Sequence, residues 1–315
     1  MFSFEKNSIE NANRLRYNCY GNKGAAVCIF LQLRRAGATP HSTAHRGRNS
    51  GVFRPAGWGK EGIMKTQDPK KRAILESFKN GLIVSCQVQW DDPIYTDDMV
   101  VKMAEGARWA GAVGIRANSP EQIRAIKEKV DLPMIGLYKI WHDDTDVFIT
   151  PTLEAAREVW EAGAEIIALD CTDQITHEGR PAWELLPVVK KEIPEAMIFA
   201  DVSNYNEAKR AVELGADIVG PTLYGYTKET ASIEYPDLRE FARMCRDMGD
   251  QAYFVMEGHI YSPEDAIKCL YLGAHSVVVG SAITRPHLTA KRFVDLMSGY
   301  QNNWRDAEKS KHQKK

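Results

Sequence analysis

Four glycine-alanine pairs, Gly111-Ala112, Gly163-Ala164, Gly215-Ala216 and Gly273-Ala274, recur along this chain at intervals of 52, 52 and 58 residues. Each closes a helix-like stretch and precedes a short apolar run. The glycine tolerates the left-handed conformation that ends a helix. The apolar run has the length and composition of a strand buried on both faces. Each interval has room for two strand-helix units, so four quarters predict eight parallel strands. A closed (β/α)8 barrel accommodates that repeat better than an open doubly wound sheet. No GxGxxG follows the first strand, which removes the main sign of a dinucleotide-binding sheet.

The predicted strands are Leu82 to Gln87, Ala112 to Ala117, Pro133 to Lys139, Ile166 to Cys171, Met197 to Val202, Asp217 to Thr222, Ala252 to Glu257 and Ser276 to Ile283. A lead-in helix over Lys70 to Lys79 is expected to close the bottom of the barrel. Ser119-Pro120-Glu121 and Ser262-Pro263-Glu264 each carry an N-cap serine, proline at the first helical position and acid in the first turn. Helical periodicity also marks Leu153 to Glu161, Glu207 to Leu214, Leu238 to Met248 and Pro263 to Leu272.

A chain of 315 residues with net charge −1 can bury one barrel-sized core. No apolar run approaches membrane-spanning length, and the six cysteines show no CxxC spacing, so a soluble protein of the reducing cytoplasm without structural zinc is expected. Cys86, Cys171 and Cys269 lie in apolar patterns and read as packing residues. Charge is uneven: residues 1–63 hold ten basic and three acidic residues, net +7, leaving −8 for the rest. That segment has no sustained period and no aromatic or motif context for nucleic acid, and Arg34 and Arg35 follow its apolar run where a secretory signal would place small residues. It is expected to be a disordered basic extension or a mis-assigned start. Lys60-Glu61-Gly62 can be encoded by AAG-GAG-GG, a purine-rich ribosome-binding sequence just before Met64. The barrel is then expected over 64–300, with a charged tail over 301–315.

In a parallel barrel the carboxyl ends of all strands meet at one mouth. The polar residues at those ends are Gln87, Arg116, Lys139, Asp170, Asp201, Thr222 and Glu257. Lys139 ends the apolar run Pro133 to Tyr138, and burial penalises its ammonium form. It is either a base or Schiff-base former, or a side chain that snorkels into solvent. Asp170 reads first as a loop cap. Arg116 has the fork that suits a phosphate or acyl oxygen. Gly258, Gly280, Ser281 and Arg285, after the seventh and eighth strands, coincide with the position where such barrels bind phosphate, and Gly225 offers a further glycine on the same rim. The histidines His142, His177, His259, His275 and His287 lie outside strand tops and read as exposed loop residues, so no metal site is expected.

The motifs Gly81 to Gln87 (GLIVSCQ), Gly111 to Asn118 (GAVGIRAN), Val147 to Thr152 (VFITPT), Ala168 to Asp170, Ala200-Asp201, Asp217 to Gly220, Leu223 to Thr227, Glu257-Gly258 and Val279 to Pro286 (VGSAITRP) occur in order between about Lys70 and Met297. Together they resemble the N-acetylmannosamine-6-phosphate 2-epimerases of bacterial sialic acid catabolism. The resemblance implies a single barrel of the ribulose-phosphate-binding type that interconverts N-acetylmannosamine 6-phosphate and N-acetylglucosamine 6-phosphate. It implies Lys139 and Glu257 as the catalytic pair, Gln87, Arg116 and Asp201 as sugar contacts, and Gly258, Gly280 and Arg285 as the phosphate site. The partner is then a small amino-sugar phosphate, with neither nucleic acid nor membrane. Apolar outer helices would admit a homodimer.

Inverting C2 requires removing a proton next to the C1 aldehyde of the open chain and returning it on the other face. Lys139 is expected to exchange that proton and Glu257 to position the lysine or relay the proton, without metal or redox cofactor. One base or two remain open. A Schiff-base aldolase uses the same residue types, and a phosphosugar-binding regulator would keep the pocket without turnover.

Overall fold

The computed structural model describes residues 66, 68–88, 92–96, 98–232 and 237–299. The expectations for residues 1–63 and for the tail over 301–315 lie outside the described residues. Eight strands, β1 (Leu82–Cys86), β2 (Gly114–Asn118), β3 (Met134–Leu137), β4 (Ile166–Asp170), β5 (Met197–Asp201), β6 (Ile218–Gly220), β7 (Tyr253–Glu257) and β8 (Ser276–Val279), form a closed barrel in sequence order. Every neighbouring pair is parallel, and β8 closes on β1 through Ile83 opposite Val278.

The helices are α1 (Pro69–Ser77), α2 (Met99–Trp109), α3 (Pro120–Lys127), α4 (Leu153–Glu161), α5 (Leu185–Glu192, after a 3-10 turn at Ala182–Glu184), α6 (Tyr205–Glu213), α7 (Leu238–Met248), α8 (Pro263–Tyr271), α9 (Ser281–Thr284) and α10 (Pro286–Ser298). The caps read from sequence are made: Ser119 Oγ accepts the Gln122 N–H at 3.4 Å and Ser262 Oγ the Asp265 N–H at 3.1 Å. The four repeat glycines all have positive φ, from 89° to 107°. The periodicity sets no boundaries for α2, α5 or α10. In α5, Pro187 falls in the first turn, where its missing N–H costs no helical bond.

Strand alternation divides the core into two layers. Ile83, Ile135, Leu137, Ile166, Ala168, Met197, Phe199, Ile218, Val255 and Val278 point into the barrel. Ile115, Met134, Ile167, Leu169, Ile198, Val219, Phe254 and Val277 point outward against the helices. Leu75 and Phe78 join the inner layer from below, so α1 plugs the barrel foot as expected. Two polar contacts fix the plug: Tyr253 Oη donates to Glu76 at 2.9 Å, and His275 Nε2 lies 2.7 Å from the Leu75 carbonyl.

The strands are trimmed against expectation: β1, β4 and β5 stop one residue earlier, β2 covers Gly114–Asn118 rather than Ala112 to Ala117, β6 only Ile218–Gly220, and β7 starts at Tyr253. Two further differences bear on the site. The eighth strand stops at Val279 rather than Ile283, because Gly280 at φ −109°, ψ −93° turns the chain into α9. Thr284 Oγ1 then holds that turn, donating to the Ser85 carbonyl at 2.9 Å. The third strand stops at Leu137, so Lys139 sits two residues beyond the sheet.

Candidate active site

The inward parity places Arg116 on β2, Asp170 on β4, Asp201 on β5 and Glu257 on β7 above the apolar inner layer. Arg116 is 1% exposed. Its fork is bidentate on Asp201, Nη1 to Oδ1 at 3.0 Å and Nη2 to Oδ2 at 2.8 Å, and Nη1 also donates to Glu257 Oε2. The Phe199 ring lies below, 4.9 Å from Arg116 Cζ. This buried triad sets one guanidinium between two carboxyl groups. The sequence suggests the Arg116 fork as a ligand contact, but both of its Nη atoms already serve carboxylates, so a ligand would have to share them.

Lys139 enters the mouth from a small hairpin rather than from the strand itself. After β3 the chain folds back, with antiparallel bridges Lys139–Ile149 and His142–Thr145. The Ile140 N–H donates to the Phe148 carbonyl at 3.0 Å and the Thr150 N–H to the Tyr138 carbonyl at 2.8 Å. Asn118 Oδ1, at the top of β2, accepts the Lys139 N–H at 2.8 Å. The lysine Nζ stands 5.9 Å from the Phe148 ring centroid, and Phe148 in turn stacks on Trp141 at 4.0 Å. Burial, reinforced by the Arg116 cation, lowers the Lys139 ammonium from 10.5 to about 8, with Glu257 and Asp201 opposing. Burial pushes Glu257 above the usual carboxylate range while Arg116 pulls it back. A base that loses its proton easily thus stands beside an acid that holds one longer than usual.

The other residues singled out in the sequence lie around this pair. Gln87 Nε2 donates to Ser85 Oγ at 2.9 Å on the β1 side. Gly258 has φ 97°, and a side chain there would come within 3.6 Å of the Thr222 carbonyl and 3.8 Å of the Pro221 carbonyl. Gly280 backs onto Ser85, and Ser281 opens α9, in which the Ile283 and Thr284 N–H groups both donate to the Gly280 carbonyl, at 2.8 and 2.9 Å. Arg285 pairs with Asp92 of the β1–α2 loop, and His287 Nε2 lies 3.1 Å from the same carboxylate. Gly225, by contrast, is tied into a local turn in which its N–H donates to Thr230 Oγ1 at 2.9 Å.

Several residues escaped the sequence reading. Asn118 and Ser85 lie two residues from Arg116 and Gln87, so strand parity was the available signal. Phe148 and Asp92 lie in irregular segments where no period operates. The histidines also need correction: His142 and His259 are half-buried, His275 is half-buried at the barrel foot and His287 half-buried against Asp92, and of the five only His177 is exposed, pairing with Asp144 at 2.8 Å. Cys86, Cys171 and Cys269 are buried, and burial pushes the Cys86 thiol up to about 12 and Cys269 up to about 11, as suits packing residues. Among the described residues no cluster of three or more His, Cys, Asp or Glu is arranged to hold a metal ion, and no helix is long and apolar enough to cross a membrane.

Comparison with known proteins gives a consistent picture. A family model described as "Putative N-acetylmannosamine-6-phosphate epimerase" matches residues 100–299. A protein of Listeria innocua named "Putative N-acetylmannosamine-6-phosphate 2-epimerase" is 42% identical over 224 residues, covering 71% of this chain and 96% of its own. One of Latilactobacillus sakei with the same name is 38% identical over 229 residues, covering 72% and 99%. The structure of the N-acetylmannosamine-6-phosphate 2-epimerase from Clostridium perfringens superimposes with a TM-score of 0.66 at 36% identity, covering 70% of this chain and 95% of that one.

Proposed function

Because the chain belongs to the N-acetylmannosamine-6-phosphate epimerase family, we propose that it interconverts N-acetylmannosamine 6-phosphate and N-acetylglucosamine 6-phosphate, a step of sialic acid and amino-sugar catabolism. The observation that carries this reading is Lys139, a lysine with its ammonium lowered to about 8, at the mouth of the barrel beside the Arg116–Asp201–Glu257 triad.

The C2 proton becomes acidic only when the sugar opens and C1 is an aldehyde. With its ammonium at about 8, Lys139 is a free amine in about one molecule in ten at pH 7, against about one in three thousand at 10.5. That amine takes the C2 proton, and the electrons move onto the C1 oxygen as an enolate. The Arg116 cation, shared with Asp201 and Glu257, supplies positive potential for the developing oxyanion. Glu257, held partly protonated by burial, is placed to return or relay a proton. Reprotonation on the opposite face gives the epimer. Gln87 and Asp201 would contact the sugar. The backbone at Gly258, Gly280 and Ser281 would cradle the phosphate, with Arg285 adding charge.

The test is conversion of N-acetylmannosamine 6-phosphate by the purified protein, followed by NMR. Wild type is expected to form the gluco epimer, and Lys139→Ala to lose on the order of a thousandfold in kcat/KM. Borohydride in the presence of substrate should leave no adduct on Lys139. A trapped covalent adduct or sugar cleavage products would overturn the reading in favour of a Schiff-base aldolase.

A further inference from the structure

Asp170 is 2% exposed and is used by nothing in the mechanism above. Its Oδ1 accepts from the Thr172 N–H at 2.9 Å and the Thr172 hydroxyl at 2.7 Å, which is the loop cap that the sequence suggests. The cap consumes one oxygen only. Oδ2 is buried and has no hydrogen-bond partner. Asp170 is in register with Asp201 and shares the inward parity of Ile166 and Ala168 below it, so it faces the mouth. Thr222, in the turn that follows β6, has a buried Oγ1 that is likewise unpartnered.

The charged groups that face Asp170 are Asp201 on β5 and Glu207 on α6, both acidic, while the Arg116 fork is taken by Asp201 and Glu257. The Ile149 carbonyl, in the hairpin that follows β3, accepts the Asp170 N–H at 3.2 Å. Burial pushes the Asp170 carboxyl up to about 7 against the two Thr172 hydrogen bonds, with Asp201 and Glu207 adding to the rise. In its neutral form Oδ2 carries a proton with no protein acceptor.

We propose that Asp170 is a further substrate-binding group, whose unpartnered Oδ2 donates a hydrogen bond to a hydroxyl or carbonyl oxygen of the open-chain amino sugar. This rests on the amino-sugar phosphate reading above. A buried donor left without an acceptor is costly, and a sugar oxygen supplies one, so the contact would distinguish a polyhydroxylated ligand from a bare phosphate.

The experiment is calorimetric titration of the full chain with N-acetylglucosamine 6-phosphate and, separately, inorganic phosphate at pH 6.5. Asp170→Ala should weaken the sugar phosphate about tenfold or more, with inorganic phosphate within about twofold of wild type. Asp170→Asn keeps an N–H donor at that position and a carbonyl for Thr172, so it should bind the sugar phosphate within about threefold of wild type. Unchanged sugar-phosphate affinity in the alanine variant, or equal loss for both ligands, would overturn the proposal. If the alanine variant does not fold, the asparagine variant decides. Wild-type affinity should fall as pH rises through about 7 more steeply than that of Asp170→Asn, and identical slopes would refute the role. A wild type that binds the sugar phosphate without epimerising it would sink the reaction but leave the Asp170 result standing.

Discussion

Replacing Lys139 by methionine should make the protein more stable while abolishing its activity. Lowering the ammonium from 10.5 to about 8 corresponds to about 3 kcal/mol at 1.36 kcal/mol per tenfold. The side chain is half-buried, and partial solvent screening reduces this to about 1–2 kcal/mol. The folded-state value of this base lies below its unfolded value, so the penalty is present in full below about pH 8, where both states are charged. It shrinks as pH rises toward 10.5, because the folded protein then releases its proton first. Methionine keeps the length and the apolar stem without the charge. Urea unfolding at pH 7 should show the variant more stable by about 1–2 kcal/mol, or about 2–8 °C in Tm, with the gap closing as pH approaches 10.5. A variant no more stable than wild type at pH 7, or a gap independent of pH, would refute the claim that the fold holds this lysine against its charge.

Arg116→Leu removes the one cation between two buried carboxylates and should cost about 3–5 kcal/mol in urea unfolding at pH 8, with a smaller loss at pH 5, where Glu257 takes up a proton. The pH profile of wild-type kcat/KM should be bell-shaped, rising about tenfold per pH unit below about pH 7 as the Lys139 amine is freed and falling above about pH 8 as Glu257 and Asp170 lose their protons; a profile that keeps rising through about pH 9 would contradict it. Gly136→Ala would place a methyl 2.6 Å from Ala164 Cβ and 2.7 Å from Val159 Cγ1, between β3 and α4. That overpacking should lower stability by about 1–3 kcal/mol, read as a fall in the urea midpoint.

The barrel was legible because its signals are periodic. Glycine at each helix end, serine-proline starts and short apolar runs survive without knowledge of the partner elements, and they located α4 and α7 to the residue. The mouth was legible for a related reason: an inward polar residue at the end of an apolar strand stands out against its own strand. Relations between loops were not legible. The pairing of Arg285 with Asp92 joins residues 193 apart, and the hairpin that carries Lys139 depends on backbone bonds to Phe148 and Ile149. The triad was half legible: Arg116, Asp201 and Glu257 could be named, but not that the arginine fork would be filled by the two acids. Asp170 shows the same limit, since a cap explains its position and leaves its second oxygen unaccounted for.

The most direct test of proton transfer at C2 is to run the reaction in heavy water and follow both sugars by NMR. If Lys139 takes the C2 proton and solvent exchange supplies its replacement, N-acetylglucosamine 6-phosphate should appear with deuterium at C2. Lys139→Ala should incorporate none on the same timescale. Epimer that retains its original hydrogen at C2 under all conditions, or full exchange in Lys139→Ala, would contradict the account.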